Sequence, residues 1–414
     1  MAFRRRGAVV SIHPLRALPP SLELTHSINQ DQRTRWMEAV PSFRQLPSHC
    51  RVLSPLATDP SMSWFCQASW VHRCTSQHIA CVPPAPRSTG GAAPKGLVVF
   101  LPGTALTPHD YSLLIEDFSL HGFYALGLFY PSGEGQNGCS ASRMPQPTDL
   151  NCTALERQRV LTGHAALSNR TNVSAPDSIV NRIGKALAHL GGAWSRRWLV
   201  DGAASAPRWE AMTIAGHSNG ADHAAMLAKT FRTRRALFFS GPNDYVGPSR
   251  YGRASTPAPW QFVTGATPAA SMYGFGLCGE LPNHGAMPEC FDWRPAWQAQ
   301  GLPGPWLKAD IVLGNATAMK GYHRICSSGE HVTRGDLHMA AAADCCVPRR
   351  KGEPTRILWT DVVAHMLLDD NHEKEEEEEE TVEKLFVDTR AAGRKAKYSE
   401  SGAGDGCECA WSVV

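Results

Sequence analysis

Between residues 96 and 190, short apolar runs alternate with segments of helical periodicity. The run GLVVFLPG, Gly96 to Gly103, is continuously apolar, as in strands that are buried on both faces of a sheet. The segment DYSLLIEDFSLHG predicts a helix, and YALGLFYP predicts the next strand. After a polar loop, DSIVNRIGKALAHL carries an apolar stripe along one helical face, with Asp177 placed to cap it.

The same alternation continues through the second half. AMTIAGHS, GADHAAMLAKTF and RRALFFSGP predict a strand, a helix and a strand. SMYGFGL and KADIVLGNA predict two further strands, DWRPAWQAQG a short helix between them, and RILWTDVVAHMLL the final helix. Strands that alternate with helices at this spacing predict a mostly parallel central sheet with helices on both faces.

The two ends of the chain differ from its middle. Residues 1–60 are rich in Arg, Pro and Ser without sustained periodicity, and we expect a poorly ordered leader there. Residues 61–370 are expected to form one domain, in which the stretch from Ser61 to Val82 predicts a hairpin. Residues 371–414 contain the acidic run EKEEEEEET, so we expect a mostly disordered tail.

Composition limits the classes of partner. Hydrophobic residues make up 43% and charged residues 19% of the chain, which is typical of a globular protein. The net charge of +3 is too small and too scattered to indicate a nucleic-acid partner, and no apolar run is long enough to predict a membrane span. The vicinal pair Cys345–Cys346 and the pair Cys407 and Cys409 lack partner pairs at zinc spacing, so we expect neither a metal nor a cofactor.

Cysteine content and glycosylation motifs bear on the location of the protein. The chain has 13 cysteines, and its Asn-x-Ser/Thr motifs stand at Asn151, Asn169, Asn172 and Asn315. Both features favour a glycoprotein of an oxidising compartment, in the secretory pathway or outside the cell. The arginine-rich start MAFRRRG lacks the apolar stretch of a secretory signal, and an organelle transit peptide is the alternative.

The pentapeptide Gly216-His217-Ser218-Asn219-Gly220 fits the pattern G-x-S-x-G and lies between a predicted strand and a predicted helix. This is the setting of a serine nucleophile, because the sharp turn that exposes the hydroxyl needs small residues on both sides. Ser218 is therefore the predicted nucleophile. The N–H of Asn219 is one predicted oxyanion donor, and the N–H of Thr104 or Ala105, in the loop after GLVVFLPG, is the other.

A serine nucleophile also needs a histidine base and an acid. His338 follows the last predicted strand and is the favoured base, with His331 and His323 as alternatives, whereas His217 and His223 stand too close to Ser218 in sequence. Glu280 and Asp244 each follow a strand beyond the nucleophile, and Glu280 is favoured because the next-to-last strand is the commoner location of the acid. Asp292 and Asp336 remain weaker candidates.

These blocks, including LVVFLPGT, PRWEAMTIAGHSNGADHAAMLAK and ALFFSGPNDY, resemble the α/β-hydrolase superfamily, and more closely a little-characterised bacterial and algal branch of it. The resemblance covers about residues 90–368. It implies a sheet of about eight strands, a Ser–acid–His triad with Ser218 and His338, and a disulfide between Cys139 and Cys152, since similar cysteines occur in that branch. Glu280 stands where an Asp is usual.

The expected function is that of a serine esterase that forms an acyl-enzyme on Ser218 and acts on a small-molecule ester. A lipase is less favoured, because residues 131–175 are too polar for an apolar lid. The alternatives are a non-catalytic protein that uses the same pocket to bind a ligand or partner, and an acyltransferase.

Overall fold

A sheet of nine strands organises the computed structural model, which describes residues 44–63, 77–84, 93–134, 150–246, 256–277, 293–329, 332 and 337–369. The strands of these residues are β1 (Cys50–Leu53), β2 (His78–Cys81), β3 (Leu97–Leu101), β4 (Tyr124–Gly127), β5 (Met212–His217), β6 (Arg235–Phe239), β7 (Tyr245–Val246), β8 (Thr256–Pro257), β9 (Met272–Leu277), β10 (Trp306–Lys308), β11 (Arg324–Ser327), β12 (Arg349–Arg350) and β13 (Glu353–Ile357). The order of strands in the large sheet is β1-β2-β4-β3-β5-β6-β9-β11-β10.

Most of this sheet is parallel, as the alternation of strands and helices predicts. Every neighbouring pair from β4 to β10 is parallel, and only β2 runs antiparallel to both of its neighbours. The sheet has one strand more than the expected eight within the described residues. β5 lies at its centre, and Ser218 follows directly at the carboxyl end of this strand.

Helices cover both faces of the sheet. They are α1 (Pro55–Thr58), α2 (Ser112–Leu120), α3 (Cys152–Thr162), α4 (Ile179–Leu190), α5 (Gly192–Trp198), α6 (Asn219–Thr230), α7 (Arg294–Ala299), α8 (Leu337–Ala340) and α9 (Thr360–Leu368). One face packs against α2, α8 and α9, and the other packs against α3 to α7. Consecutive residues of β3 alternate between these two apolar clusters, which explains why its whole sequence is apolar.

The structure corrects three of the local expectations. Residues 44–60 do not belong wholly to a leader, because β1 forms the edge of the sheet and pairs with β2 from Cys50↔Cys81 to Leu53↔His78. The predicted strand KADIVLGNA is wrong: β10 ends at Lys308, and a 3₁₀ turn, Ala309–Ile311, follows it. In chain order the last strand of the large sheet is β11, which lies between β9 and β10.

The third correction concerns the N-terminus of α4. Ser178, not Asp177, caps the helix, because the Ser178 hydroxyl accepts a hydrogen bond from the Asn181 N–H. The carboxylate of Asp177 instead pairs with the Arg182 guanidinium at 2.8 Å. Because Asp177 stands one residue before the N-cap, its carboxylate is less well placed to accept from the first N–H groups of α4 than to neutralise the buried guanidinium of Arg182.

Disulfide bonds in the described residues join Cys50 to Cys81 and Cys345 to Cys346. The first pair links residues that face each other in the β1–β2 register, so it fastens the edge strand to the sheet. Cys152 is also disulfide-bonded. The pairing of Cys139 with Cys152 stays a prediction, because Cys139 lies outside the described residues, as do residues 1–43 and the tail from 370 onward.

Candidate functional site

Ser218 occupies a strained turn between β5 and α6. Its backbone has φ 55° and ψ −123°, a left-handed conformation that costs a non-glycine residue about 1–3 kcal/mol. The turn is held on both sides, since the Ser218 N–H donates to the Phe239 carbonyl and the Ser218 carbonyl accepts from the Ala221 N–H. This is the geometry of a nucleophile elbow, in which the side chain is turned out of the sheet.

The two glycines of the pentapeptide are needed because backbone crowds both positions. A Cβ on Gly216 would lie 2.1 Å from the Gly220 carbonyl oxygen, and a Cβ on Gly220 would lie 2.0 Å from the Leu101 carbonyl oxygen. Neither contact can be relieved by rotating a side chain. The sharpness of the turn therefore depends on the absence of both side chains.

Gly220→Ala is expected to destabilise the protein by about 3 kcal/mol, because β3 must move away from α6 to admit the methyl group. Urea unfolding would measure this loss. Gly133→Ala is the matched control, since a Cβ at Gly133 meets nothing within 4 Å. Equal midpoints for the two variants would contradict the crowding argument.

The imidazole of His338, on α8, lies beside Ser218. Its Nε2 is 2.8 Å from Ser218 Oγ, and its ring centroid is 5.5 Å from that of Trp293. A buried hydrogen bond from Trp359 Nε1 to the Ala340 carbonyl holds the end of α8 in place. His338 and Ser218 are 120 residues apart in the chain, so the fold alone brings them together.

The other histidines considered from the sequence occupy different positions. His323 is buried, stacks on Tyr273 and bonds through Nδ1 to the Met272 carbonyl. His223 faces Tyr130, with 3.3 Å between its Nδ1 and the phenolic oxygen. His331 lies outside the described residues. The ring centroid of His217 lies 4.8 Å from that of His338.

The two segments that carry the predicted oxyanion donors both adjoin Ser218. Asn219 begins α6, so its N–H is one of the first N–H groups of the helix, which have no partner within it. The loop Gly103-Thr104-Ala105 approaches so closely that a Cβ on Gly103 would lie 3.2 Å from Ser218 Cβ. Ala105 has φ 56°, which indicates a tight loop. The structure thus places both sources of N–H groups next to Ser218.

Asp244, one of the two favoured acids, is bonded elsewhere. One carboxylate oxygen is 2.7 Å from Arg157 Nη2, and the other accepts from Arg157 Nε at 3.0 Å and from Trp260 Nε1 at 3.1 Å. These contacts bring Asp244 to Arg157 rather than to His338. Glu280, Asp292 and Asp336 lie outside the described residues, so the acid stays a prediction.

Arg157 links α3 to the start of α6 in a buried ionic cluster. Its guanidinium, which is 1% exposed, pairs with Asp222 and Asp244 and donates to the Asn219 side-chain oxygen. Burial alone would lower the pKa of Arg157, but Asp244 and Asp222 raise it above its ordinary value. Burial and the nearby Asp244 raise the pKa of Asp222. The cation is therefore permanent, and it holds two carboxylates that could not remain buried without it.

Two side-chain contacts at or next to Ser218 were not predicted from the sequence. Asn243 Nδ2 lies 3.5 Å from Ser218 Oγ and 3.4 Å from the Ser240 carbonyl, which requires the amino group of the amide to point this way. Asn219 Nδ2 donates to the Ser132 carbonyl at 2.6 Å, which ties α6 to the segment after β4. The dipeptide Asn243-Asp244, in the loop after β6, indicates polar side chains at the carboxyl end of this strand, and Asn243 is as well placed there as Asp244.

Glu156 is a buried carboxyl group next to Arg157 on α3. Glu156 is 1% exposed, and neither of its carboxyl oxygens has a hydrogen-bond partner among the residues that the structure describes. Burial raises its pKa to about 7, although Arg157 acts in the opposite direction. Because the folded state holds this proton more tightly than the unfolded state, the contribution of Glu156 to stability is present at low pH and is lost as pH rises toward 7.

We expect Glu156→Gln to flatten the pH dependence of stability. In the wild type, Glu156 should lower the free energy of unfolding by about 3 kcal/mol between pH 4.5 and 8, and the variant should lack this loss. Urea unfolding at pH 5, 6, 7 and 8 measures it, with Glu210→Gln at an exposed position as the control. Parallel curves for wild type and Glu156→Gln would contradict the assignment.

Among the described residues, no group of three or more His, Cys, Asp or Glu side chains is arranged to hold a metal ion. The helices of these same residues are all too short or too polar to cross a membrane.

Neither a protein-family model nor a curated protein matches this chain. Similar solved structures include a candidate thioesterase from Silicibacter sp. TM1040 (16% identity, TM-score 0.26), TT1662 from Thermus thermophilus (17%, 0.27) and propionate-bound esterase Est2 from the planctomycete Thermogutta terrifontis (14%, 0.26). The alignments cover 53%, 61% and 55% of this chain, and 61%, 82% and 71% of those chains. The first alignment thus spans less than two thirds of the Silicibacter protein.

The fold itself follows from the sheet and its central turn. A mostly parallel sheet carries helices on both faces, and a serine with positive φ follows its central strand and begins a helix. A second loop, after β3, approaches that serine. These features together define the α/β-hydrolase fold, and this chain has that fold.

Proposed function

We propose that the protein is a serine hydrolase that cleaves carboxylic esters through an acyl-enzyme intermediate on Ser218. One observation carries the proposal: His338 Nε2 lies 2.8 Å from the hydroxyl of a serine on a strained strand-to-helix turn. Nucleophile and base in hydrogen-bond contact are the pair that acyl transfer requires. A capping serine in an ordinary turn would have no need of either feature.

The proposed roles follow from the positions of the groups. His338 Nε2 takes the Ser218 proton as Oγ attacks the ester carbonyl carbon, and then gives that proton to the leaving alcohol oxygen as the C–O bond breaks. The N–H groups of Asn219 and of Thr104 or Ala105 stabilise the oxyanion. A water molecule, deprotonated by His338, then attacks the acyl carbon and releases the acid and Ser218.

The proposed acid partner of His338 is Glu280. Asp244 is the alternative, but its carboxylate already neutralises Arg157 and accepts from Trp260. Withdrawing it would leave Arg157 with Asp222 alone. We therefore favour a structural role for Asp244, and propose a small ester, or an ester on a polysaccharide, as the substrate class.

A fluorophosphonate probe tests the proposal directly, because it reacts only with an activated serine. We expect wild-type protein to be labelled at Ser218, to lose its activity in proportion, and to hydrolyse p-nitrophenyl esters with a preference for short acyl chains. Absence of labelling in folded protein would favour a binding protein instead. Transfer to an added alcohol in excess of hydrolysis would favour an acyltransferase.

We also propose that the protein matures in the secretory pathway and carries N-glycans. The four motif asparagines Asn151, Asn169, Asn172 and Asn315 are all exposed, and Cys50 and Cys81 form a disulfide. Protein purified from its native source should shift in mass on treatment with peptide N-glycosidase F. An unchanged mass together with free thiols at Cys50 and Cys81 would contradict the proposal.

A further inference from the structure

A chain of buried hydrogen bonds joins the oxyanion loop to the proposed base. The Gly103 N–H donates to the Tyr111 hydroxyl at 3.1 Å, and this hydroxyl is 2.9 Å from His217 Nδ1. His217 Nε2 is in turn 2.8 Å from the carbonyl oxygen of His338. Tyr111 and His217 have no exposed surface, so water does not compete for these groups.

The chemistry of the end groups fixes the direction of each bond. An N–H can only donate and a carbonyl oxygen can only accept, so Gly103 donates at one end and His217 Nε2–H donates to His338 at the other. In the neutral imidazole His217 Nδ1 then accepts, and Tyr111 supplies its one hydroxyl proton to it. Burial raises the pKa of Tyr111 well above its ordinary value, which keeps this proton in place.

The chain has a mechanical consequence for the site. His217 directly precedes Ser218 in β5, so its ring is fixed by the same backbone as the nucleophile. By holding the main chain of His338, it fixes that residue relative to Ser218. This anchor matters because α8 has only four residues, so its own helical hydrogen bonds give the backbone of His338 little support.

The segment around Tyr111 holds the region after α8 as well. The Asp344 N–H donates to the Asp110 carbonyl, while the Asp344 carboxylate accepts from the Ser112 hydroxyl and the Leu113 N–H. Residues 110–113 thus contact both the oxyanion loop and the chain that carries His338. No other described segment is hydrogen-bonded to both, and Tyr111 is the member whose side chain reaches toward the nucleophile.

We propose that Tyr111 and His217 are positioning residues that hold His338 and the Gly103 loop in register with Ser218. This inference rests on the proposed hydrolase function and goes beyond it, because it concerns two residues to which the proposed mechanism gives no role. Removing the relay should leave substrate binding largely intact and lower the rate of the chemical step, since small displacements of a base lower rates steeply.

The experiment uses variants that remove the relay one bond at a time. Tyr111→Phe removes only the hydroxyl, and should lower kcat per fluorophosphonate-titrated site by about 10–100-fold while KM changes by less than about twofold. His217→Gln keeps an amide donor at the position of Nε2, whereas the shorter amide of His217→Asn reaches the position of Nδ1 and provides no donor to the His338 carbonyl. Gln should therefore retain more kcat than Asn. Tyr124→Phe and the exposed His189→Gln are the matched controls.

Hydrogen–deuterium exchange provides a readout that does not depend on activity. The peptide that covers residues 337–346 should exchange faster in Tyr111→Phe and His217→Asn than in wild type, and peptides of β5 should not. The relay would be overturned if Tyr111→Phe kept the wild-type kcat and the Gln and Asn variants of His217 had equal kcat. If Ser218→Ala was inactive in the same experiment, the proposed function would stand. A wild-type protein without labelling would instead overturn the proposed function, and the exchange result would still decide the relay.

Discussion

Replacing Ser218 with alanine is expected to lower kcat for ester hydrolysis by about four to six orders of magnitude and to abolish fluorophosphonate labelling. The physical reason is that the acyl-enzyme route is lost entirely, so only the oxyanion N–H groups and substrate binding remain to accelerate hydrolysis. KM should change little, because the hydroxyl supplies almost no ground-state binding. Initial rates on p-nitrophenyl acetate and butyrate, at enzyme concentrations high enough to detect the residual rate, measure the effect.

Ser218→Ala should remain folded, so that a loss of activity can be attributed to the missing hydroxyl. Alanine at a position with φ 55° retains the same backbone strain as serine, so we expect equal unfolding midpoints in urea. Ser195→Ala, a half-buried serine of α5 that bonds only to its own turn at the Gly192 carbonyl, is the matched control and should be fully active. Equal rates for wild type and Ser218→Ala would exclude the mechanism.

The sequence predicted those elements whose physics is local. β3 is continuously apolar and β5 and β6 are largely apolar because both of their faces are buried, and α4 shows its apolar stripe because only one of its faces is buried. β1 was missed for the opposite reason. It has four residues with two exposed in the middle, and it is held by pairing with β2 and by the bond between Cys50 and Cys81.

The residues of the candidate site likewise divide into those that could be predicted from the local sequence and those that could not. The turn at Ser218 could be predicted because the pattern G-x-S-x-G between a predicted strand and a predicted helix is local, although the backbone that crowds Gly220 belongs to Leu101 of β3. The partners of Arg157 and the bond from Tyr111 to His217 could not, since these hydrogen bonds join residues 62 to 106 positions apart. Arg157 lies in a polar helix and Tyr111 follows Asp110, and neither sequence neighbourhood indicates that the side chain is buried. Only the packing of α3 and α2 on the sheet gives them their roles.

Arg157→Leu is expected to destabilise the protein by about 3–5 kcal/mol, because it leaves the carboxylates of Asp222 and Asp244 buried without their cation. A leucine fills most of the volume, so the loss measures electrostatics rather than a cavity. Urea unfolding at pH 8 measures it, and Arg196→Leu at an exposed position of α5 is the control. Because the same guanidinium holds the Asn219 side chain, activity should fall in the folded variant as well.

The pH dependence of this loss separates charge from packing. Without Arg157 the repulsion between Asp222 and Asp244 is uncompensated, so the folded pKa of Asp222 should rise further above its ordinary value. A raised folded pKa gives stability that is present at low pH and lost as pH rises, so the deficit of Arg157→Leu should be smaller at pH 5 than at pH 8. Adding Asp222→Asn should recover part of the deficit at pH 8 and less at pH 5. A deficit that is equal at both pH values would mean that Arg157 stabilises α3 and α6 through its packing, and that its charge contributes little.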